Sequence, residues 1–185
     1  MVRLFRTIAL AGVLSAAPTM AGAASMTQRS TDMGGGMGTV QAVKNAGSYR
    51  LELDIGPLER MYTQAEARRL HPKHGEVMLR GSMAMGGMGS MGAMSPNHHL
   101  ELHVMDRHSG RVVSDAMVSI AYQPVVGMGQ MAVAPQHVQI AVMRGLDTGM
   151  GDIHYGNNVY MHAGSAYNVS VTVNGVKAAY QVRVT

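Results

Sequence analysis

Apolar and polar residues alternate with a period of two along much of the chain after residue 48. In "SYRLELDIG" the apolar positions are Tyr49, Leu51, Leu53 and Ile55, which predicts a strand because successive side chains point to opposite faces of a sheet. Strands are also predicted in "GEVMLRG", "NHHLELHVMD", "RVVSDAMVSIAY", "HVQIAVMRG", "AYNVSVTV" and "KAAYQVRVT". Asn174-Gly175 joins the last two and is a strong signal for a tight hairpin.

One short helix is predicted between these strands. "TQAEARRL" begins with a capping box formed by Thr63 and Glu66, and His71-Pro72 follows as a stop. Many short strands separated by turn signals are typical of a sandwich. The pattern therefore predicts an all-β fold, an antiparallel immunoglobulin-like β-sandwich with Met/Gly-rich loops and one short helix.

The N-terminal residues have the pattern of an export signal. Arg3 and Arg6 precede a short apolar run, and "AGA" offers a small-residue cleavage site, so residues 1–23 are interpreted as a signal peptide. Residues 24–47 are small, polar and glycine-rich and are expected to be flexible, which leaves 48–185 for the sandwich. We expect a periplasmic protein without membrane insertion after cleavage.

Composition narrows the chemistry. The formal charge of +4 falls to +2 without Arg3 and Arg6, and without a run of basic residues nucleic acid is not an expected partner. The chain has no cysteine, so a site for a soft metal has to use thioether or imidazole. Nineteen methionines and nine histidines beside a single phenylalanine and no tryptophan are not the composition of an ordinary core.

The strand "NHHLELHVMD" places four candidate ligands on one face. His99, Glu101, His103 and Met105 alternate with the apolar Leu100, Leu102 and Val104. Neighbours on one face lie roughly 6–7 Å apart, so two of them can chelate one ion and four cannot. Taken alone, this strand favours a solvated polar face; a metal site needs further ligands from a neighbouring strand.

A second histidine segment could supply them. "GDIHYGNNVYMH" contains His154 and His162, and Met150 precedes it. Imidazole is the commonest protein ligand for late transition metals, and thioether selects Cu(I). The alternative is a histidine at a surface turn, for which Asn157-Asn158 would be ordinary turn residues.

The third candidate is "SMAMGGMGSMGAMSP", a low-complexity loop. Glycine-spaced thioethers can converge on a soft cation, and similar methionines occur at 33, 37, 128 and 131. We therefore interpret the loop as an accessory Cu(I) site and not as a packed apolar segment. Its candidate ligands are Met83, Met85, Met88, Met91 and Met94.

Catalytic motifs give no competing hypothesis. The sequence has no Gly-x-Ser-x-Gly elbow, His-Glu-x-x-His pair or phosphate-binding glycine loop, and we do not expect an enzyme. A three-histidine zinc hydrolase is not excluded by composition, but no spacing argues for one.

Together, "HLE" at His99–Glu101 and "HYGNNV" at 154–159 resemble the periplasmic iron-uptake accessory proteins. Those proteins are immunoglobulin-like, copper-binding and dimeric, and they work beside an inner-membrane iron permease. The resemblance implies a metal site of His99, Glu101, His154 and a methionine, either Met143 or Met150.

The chain departs from the family pattern at one ligand. The family places a further histidine after the "HYG" strand, where this chain continues into the Asn174-Gly175 hairpin, so His162 or His103 is implied in its place. Copper is the implied metal, with iron in a nearby site that contains carboxylates. Two other hypotheses stay open: a copper or silver tolerance protein that scavenges Cu(I) through its methionine loops, and a structural or interaction module whose histidines bind no metal.

Overall fold

The computed structural model describes residues 29–31, 39–82, 94–127, 129, 131–146, 148 and 151–184. This part of the chain contains one helix, α1 (Gln64–Leu70), and twelve strands. The strands are β1 (Arg29–Thr31), β2 (Thr39–Ala46), β3 (Tyr49–Pro57), β4 (Met61–Thr63), β5 (Glu76–Arg80), β6 (His98–Asp106), β7 (Val118–Pro124), β8 (Gln136–His137), β9 (Ala141–Gly145), β10 (Ile153–Val159), β11 (Ala166–Val173) and β12 (Val176–Arg183).

The strands form two sheets. The larger has the order β1-β2-β3-β6-β10-β9-β5-β4, and the smaller has the order β12-β11-β7-β8. All pairs are antiparallel except β4 with β5. The predicted all-β sandwich is therefore confirmed. Among the described residues, no helix has the length and apolar character needed to cross a membrane.

The core lies between the sheets. The larger sheet contributes Leu53, Leu102 and Tyr155, which lie next to one another on β3, β6 and β10, and the smaller contributes Val169 and Val171 of β11. These side chains are 0–1 % exposed. Each aliphatic side chain buried in this way contributes about 1.5–3 kcal/mol, so the core holds β6 and β10 side by side.

Two local predictions are confirmed in detail. Thr63 Oγ1 accepts from the Glu66 amide while the Glu66 carboxylate accepts from the Thr63 amide, and His71 in the left-handed conformation ends α1. Asn174 and Gly175 both have positive φ, as a type I′ hairpin requires, and they connect β11 to β12.

Three predicted segments differ. The strand predicted in "RVVSDAMVSIAY" begins only at Val118, and "HVQIAVMRG" divides into β8 and β9, which belong to different sheets. Residues 39–46, expected to be flexible, form β2, because the turn at Gly47 folds them back along β3. The predicted signal peptide, residues 1–23, lies outside the described residues.

Candidate metal centre

Strand β6 has the two faces that its sequence predicts. Leu100, Leu102 and Val104 are fully buried in the core, and the intervening side chains point to the opposite face. That face is not a solvated surface: His99 is 0 % exposed. The interpretation of a wet strand face is therefore wrong for this histidine.

Strand β10 brings the second histidine segment alongside. Residues 155–159 pair with residues 98–102 of β6, and His154 is 0 % exposed. Asn157 and Asn158 lie within this strand and not in a turn, which corrects the alternative interpretation of "HYGNNV". Pairing with both β6 and β9 explains the difference, because the strand is held from either side.

Gly156 permits this close pairing. A Cβ atom built there would lie 1.8 Å from the Leu100 carbonyl oxygen, far inside van der Waals contact. Any side chain at 156 would push β10 away from β6. The glycine of "HYG" thus keeps the two histidine-bearing strands together.

The residue that completes the cluster is Glu76, which our sequence reasoning missed. It begins β5, separated from β10 by β9, and its side chain is 7 % exposed. Its Oε2 lies 3.2 Å from His99 Nε2, and its Oε1 lies 3.0 Å from His154 Nε2. The sequence signal was limited to an acidic residue before three apolar ones at the start of a strand.

Glu76, His99, Glu101 and His154 form a group that could hold a metal ion, since one donor atom from each lies within 4.8 Å of the others. The Glu101 Oε1 atom is 3.9 Å from His99 Nε2. Donors bound to one ion at about 2.0–2.2 Å lie roughly 3.0–3.6 Å apart. With donor atoms up to 4.8 Å apart, the four side chains would have to close by up to about 1 Å to bind one ion together.

Both imidazoles are anchored through Nδ1. Asn158 Nδ2 donates to the Glu59 carbonyl at 2.9 Å, so its Oδ1 atom is left to accept from His99 Nδ1 at 2.8 Å. His154 Nδ1 donates to the Asp152 carbonyl at 3.3 Å. With both Nδ1 atoms acting as donors, both Nε2 atoms are free to present a lone pair to an ion.

The Nε2 atoms lie close to Glu76 but do not form hydrogen bonds of normal geometry with it. His99 Nε2, His154 Nε2 and Glu76 Oε2 are all buried without a hydrogen-bond partner. Buried polar atoms are nearly always satisfied, so these groups are either ion-paired with one another, at 3.0–3.2 Å, or bound to a cation. A cation between them would satisfy all three.

The electrostatics of the cluster favour charged groups. Burial would raise the pKa of Glu76, but His154 and His99 lower it to about 2. Burial would lower the pKa of His99, but Glu76 and Glu101 raise it. Without metal, the carboxylates therefore favour protonated His99, and a metal ion has to compete with that proton.

His103 belongs to a neighbouring group. His103, Asp152 and His154 form a second set that could hold a metal ion. Its Nε2 lies 3.3 Å from Glu101 Oε2 and 3.7 Å from Asp54 Oδ2, and its Nδ1 lies 3.7 Å from Asp152 Oδ1. His99 belongs to the first group and His103 to the second. This agrees with the expectation that side chains in a row along one strand cannot all bind the same ion.

Of the two methionines proposed as ligands, Met143 lies beside the cluster. It is the direct β9 partner of His154, so both side chains project from the same face, and Met143 is 0 % exposed. Met150 lies outside the described residues. The β9–β10 connection separates Met143 from His154 along the chain, and the sheet brings them together.

Other predicted residues are elsewhere. His162 follows the end of β10, is exposed and contacts the Tyr160 hydroxyl at 3.2 Å, so it does not join the cluster. Neither of the two His/Asp/Glu clusters among the described residues includes His162, and its role as a ligand stays a prediction. Met83, Met85, Met88 and Met91 lie outside the described residues, and Met94 is 59 % exposed.

A cleft of about 320 Å³ connects the cluster to solvent. Its walls are Glu59, His74, Gly75, Glu76, Glu101, Gly145 and Asp152. Gly145 leaves no room for a side chain, because a Cβ atom there would clash with Thr148 Oγ1 and lie 2.5 Å from Asp152 Oδ2. Burial and the charges of Glu76 and Glu101 raise the pKa of Glu59, as expected where carboxylates crowd together.

Comparison with family models, curated proteins and solved structures gave no match for this chain. The functional argument therefore depends on the geometry of the cluster.

Proposed function

We propose that this chain is an exported copper-binding protein that takes part in copper-dependent iron uptake. The observation that carries the metal site is the convergence of the His99 and His154 Nε2 atoms on Glu76, with no hydrogen bond to satisfy them. Two imidazoles and two carboxylates suit Cu(II), and Met143 adds a thioether that suits Cu(I). The protein binds the metal and passes it on; it is not an enzyme.

In this proposal iron takes the neighbouring group. His103, Asp152 and His154 lie beside Glu101 and Asp54, and this more acidic surrounding suits a harder ion than Cu(I). The resemblance to the iron-uptake accessory proteins supports the iron role, an inner-membrane permease as partner and a homodimer.

Metal analysis of the exported protein tests the proposal, together with titrations of Cu(I), Cu(II) and Fe(II). We expect one tightly bound copper per chain and at least a tenfold loss of affinity in Glu76→Gln. Glu52→Gln is the matched control, since Glu52 lies on the same sheet and pairs with Arg50 at 3.1 Å. Equal copper affinity in Glu76→Gln and the unaltered chain would contradict the proposed site.

The methionine-rich sequence favours a second candidate, a copper or silver tolerance protein without a role in iron. The two candidates differ in which part of the chain binds copper tightly: the buried cluster or the methionine-rich loop. Deletion of residues 83–94 leaves the cluster intact and should preserve Cu(II) binding if the first proposal is right. If the scavenger is right, that deletion abolishes copper binding.

A further inference from the structure

His99 and His154 pose a problem of access. Both side chains are 0 % exposed, so no ion can reach either Nε2 atom directly from solvent. Two of the other candidate ligands, Glu76 and Glu101, line the cleft as well as the cluster. The cleft is thus a passage that begins in solvent and ends at the two carboxylates nearest the imidazoles.

The chemistry of the cleft suits a cation. Among its lining residues are four carboxylates, Glu59, Glu76, Glu101 and Asp152, and one imidazole, His74; none is lysine or arginine. A cleft lined by one sign of charge concentrates ions of the opposite sign and raises their association rates. The Glu76 side chain is 93 % buried, and its Oε2 atom, which has no hydrogen-bond partner, lies between this cleft and His99.

His74 lies where an ion entering the cleft from solvent would first meet a ligand. It is exposed, two residues before Glu76 in sequence, and on the wall of the same cleft. Imidazole is the commonest protein ligand for late transition metal ions, and the other possible ligands along the passage are carboxylates. An ion held by His74 can therefore move inward from ligand to ligand without returning to bulk water.

We propose that the metal enters and leaves the buried cluster through this cleft, with His74 as its capture ligand and Glu59 as part of the attracting wall. This inference depends on the proposed function, because it assumes that the cluster binds copper. It adds two residues, His74 and Glu59, that determine the rate of exchange and do not belong to the four-ligand group.

Stopped-flow measurement of Cu²⁺ binding, followed by tyrosine fluorescence, tests the route, with dissociation measured into excess EDTA. His74→Gln should slow association and dissociation alike by up to about 10-fold, the low end of the range for charge-lined clefts. His74→Lys should slow association further, and that loss should shrink as salt is added, because screening weakens the repulsion. Glu59→Gln should lower the association rate and its salt dependence.

His108 provides matched controls. It is exposed in the turn after β6 and does not line the cleft, so His108→Gln and His108→Lys should exchange copper as the unaltered chain does. Exchange rates within twofold of the unaltered chain in His74→Gln, His74→Lys and Glu59→Gln would overturn the route while leaving the cluster intact. Failure of the unaltered chain to bind Cu²⁺ at equilibrium would instead contradict the proposed function, and with it this route.

Discussion

Asn158 Oδ1 accepts a hydrogen bond of 2.8 Å from His99 Nδ1. The same amide donates to the Glu59 carbonyl through Nδ2, so its orientation is fixed and the His99 proton is assigned to Nδ1. One side chain thereby points His99 Nε2 toward Glu76 and ties the β3–β4 connection to β10.

Removing this support should weaken metal binding without removing a ligand. We expect Asn158→Leu to lower copper affinity about 10- to 100-fold, the usual loss when a partner that orients a metal ligand is replaced. Asn158→Asp keeps an acceptor for His99 Nδ1 and should retain more affinity than Asn158→Leu. Competition titration with a chelator measures both variants, and equal affinity in Asn158→Leu and the unaltered chain would show that the amide does not position His99.

Copper affinity should rise with pH. The pKa of His99 is raised by Glu76 and Glu101, so this imidazole holds a proton that copper must displace; the pKa of the nearby His103 is raised by Glu101 and Asp54. Protonation of the imidazoles is complete below the ordinary histidine pKa of about 6.5 and is lost as pH rises through the higher folded values. Titrations between pH 5.5 and 8.5 should show progressively tighter binding with proton release, and a flat profile would contradict this coupling.

The same two histidines give the metal-free fold a pH dependence of opposite direction. Groups whose pKa is raised on folding contribute stability that is fully present below the unfolded pKa and is lost as pH rises through the folded pKa. The metal-free protein should therefore unfold at a lower temperature at pH 8.5 than at pH 6, measured by circular dichroism. In His103→Gln the difference between the unfolding temperatures at pH 6 and pH 8.5 should be smaller. An unchanged difference would mean that other titratable groups cause it.

Met143→Leu separates thioether coordination from packing. The substitution keeps the side-chain volume nearly constant, so a stability loss below about 1.5 kcal/mol is expected. Cu(I) affinity should fall at least tenfold while Cu(II) affinity changes much less, since thioether favours the softer ion. Met161→Leu is the control, because Met161 is equally buried in the core but is not paired with His154. Equal Cu(I) affinities in the two variants would exclude Met143 as a ligand.

Gly156→Ala tests the close approach of β10 to β6. With its Cβ atom 1.8 Å from the Leu100 carbonyl oxygen, the variant has to separate the strands, and we expect a loss of about 2–4 kcal/mol in the free energy of unfolding. Gly151→Ala is the control: nothing lies within 4 Å of a Cβ atom there, and its change should stay within about 0.5 kcal/mol. Urea unfolding of both variants measures the difference, and equal stabilities would contradict the constraint.

The period-two pattern predicted the sandwich, because each strand that carries the core has to place apolar side chains on one face. The alternation predicted β3 and β6, Asn174-Gly175 predicted the β11–β12 hairpin, and the capping box predicted the helix. It missed the division of "HVQIAVMRG" between two sheets and the strand in residues 39–46, since both depend on which neighbour accepts the backbone hydrogen bonds.

The sequence predicted only those residues of the candidate site that lie in recognisable motifs. His99, Glu101 and His154 followed from two short motifs and a resemblance, and the structure brings these three together. Glu76 did not, because its role depends on the sheet: Met78 is in register with Met143 and His154, and Glu76, two residues before Met78, shares their face. His162 followed from the resemblance, which implies a further histidine after "HYG", but its position beyond the end of β10 leaves it outside the clusters of the described residues.

The most direct test of the account is electron paramagnetic resonance of the Cu(II)-loaded protein after dialysis against a weak chelator. We predict one copper per chain with hyperfine coupling to two imidazole nitrogens, and coupling to only one in His99→Ala and in His154→Ala. The same stoichiometry and two-nitrogen coupling in both variants, or no bound copper in the unaltered chain, would contradict the metal centre.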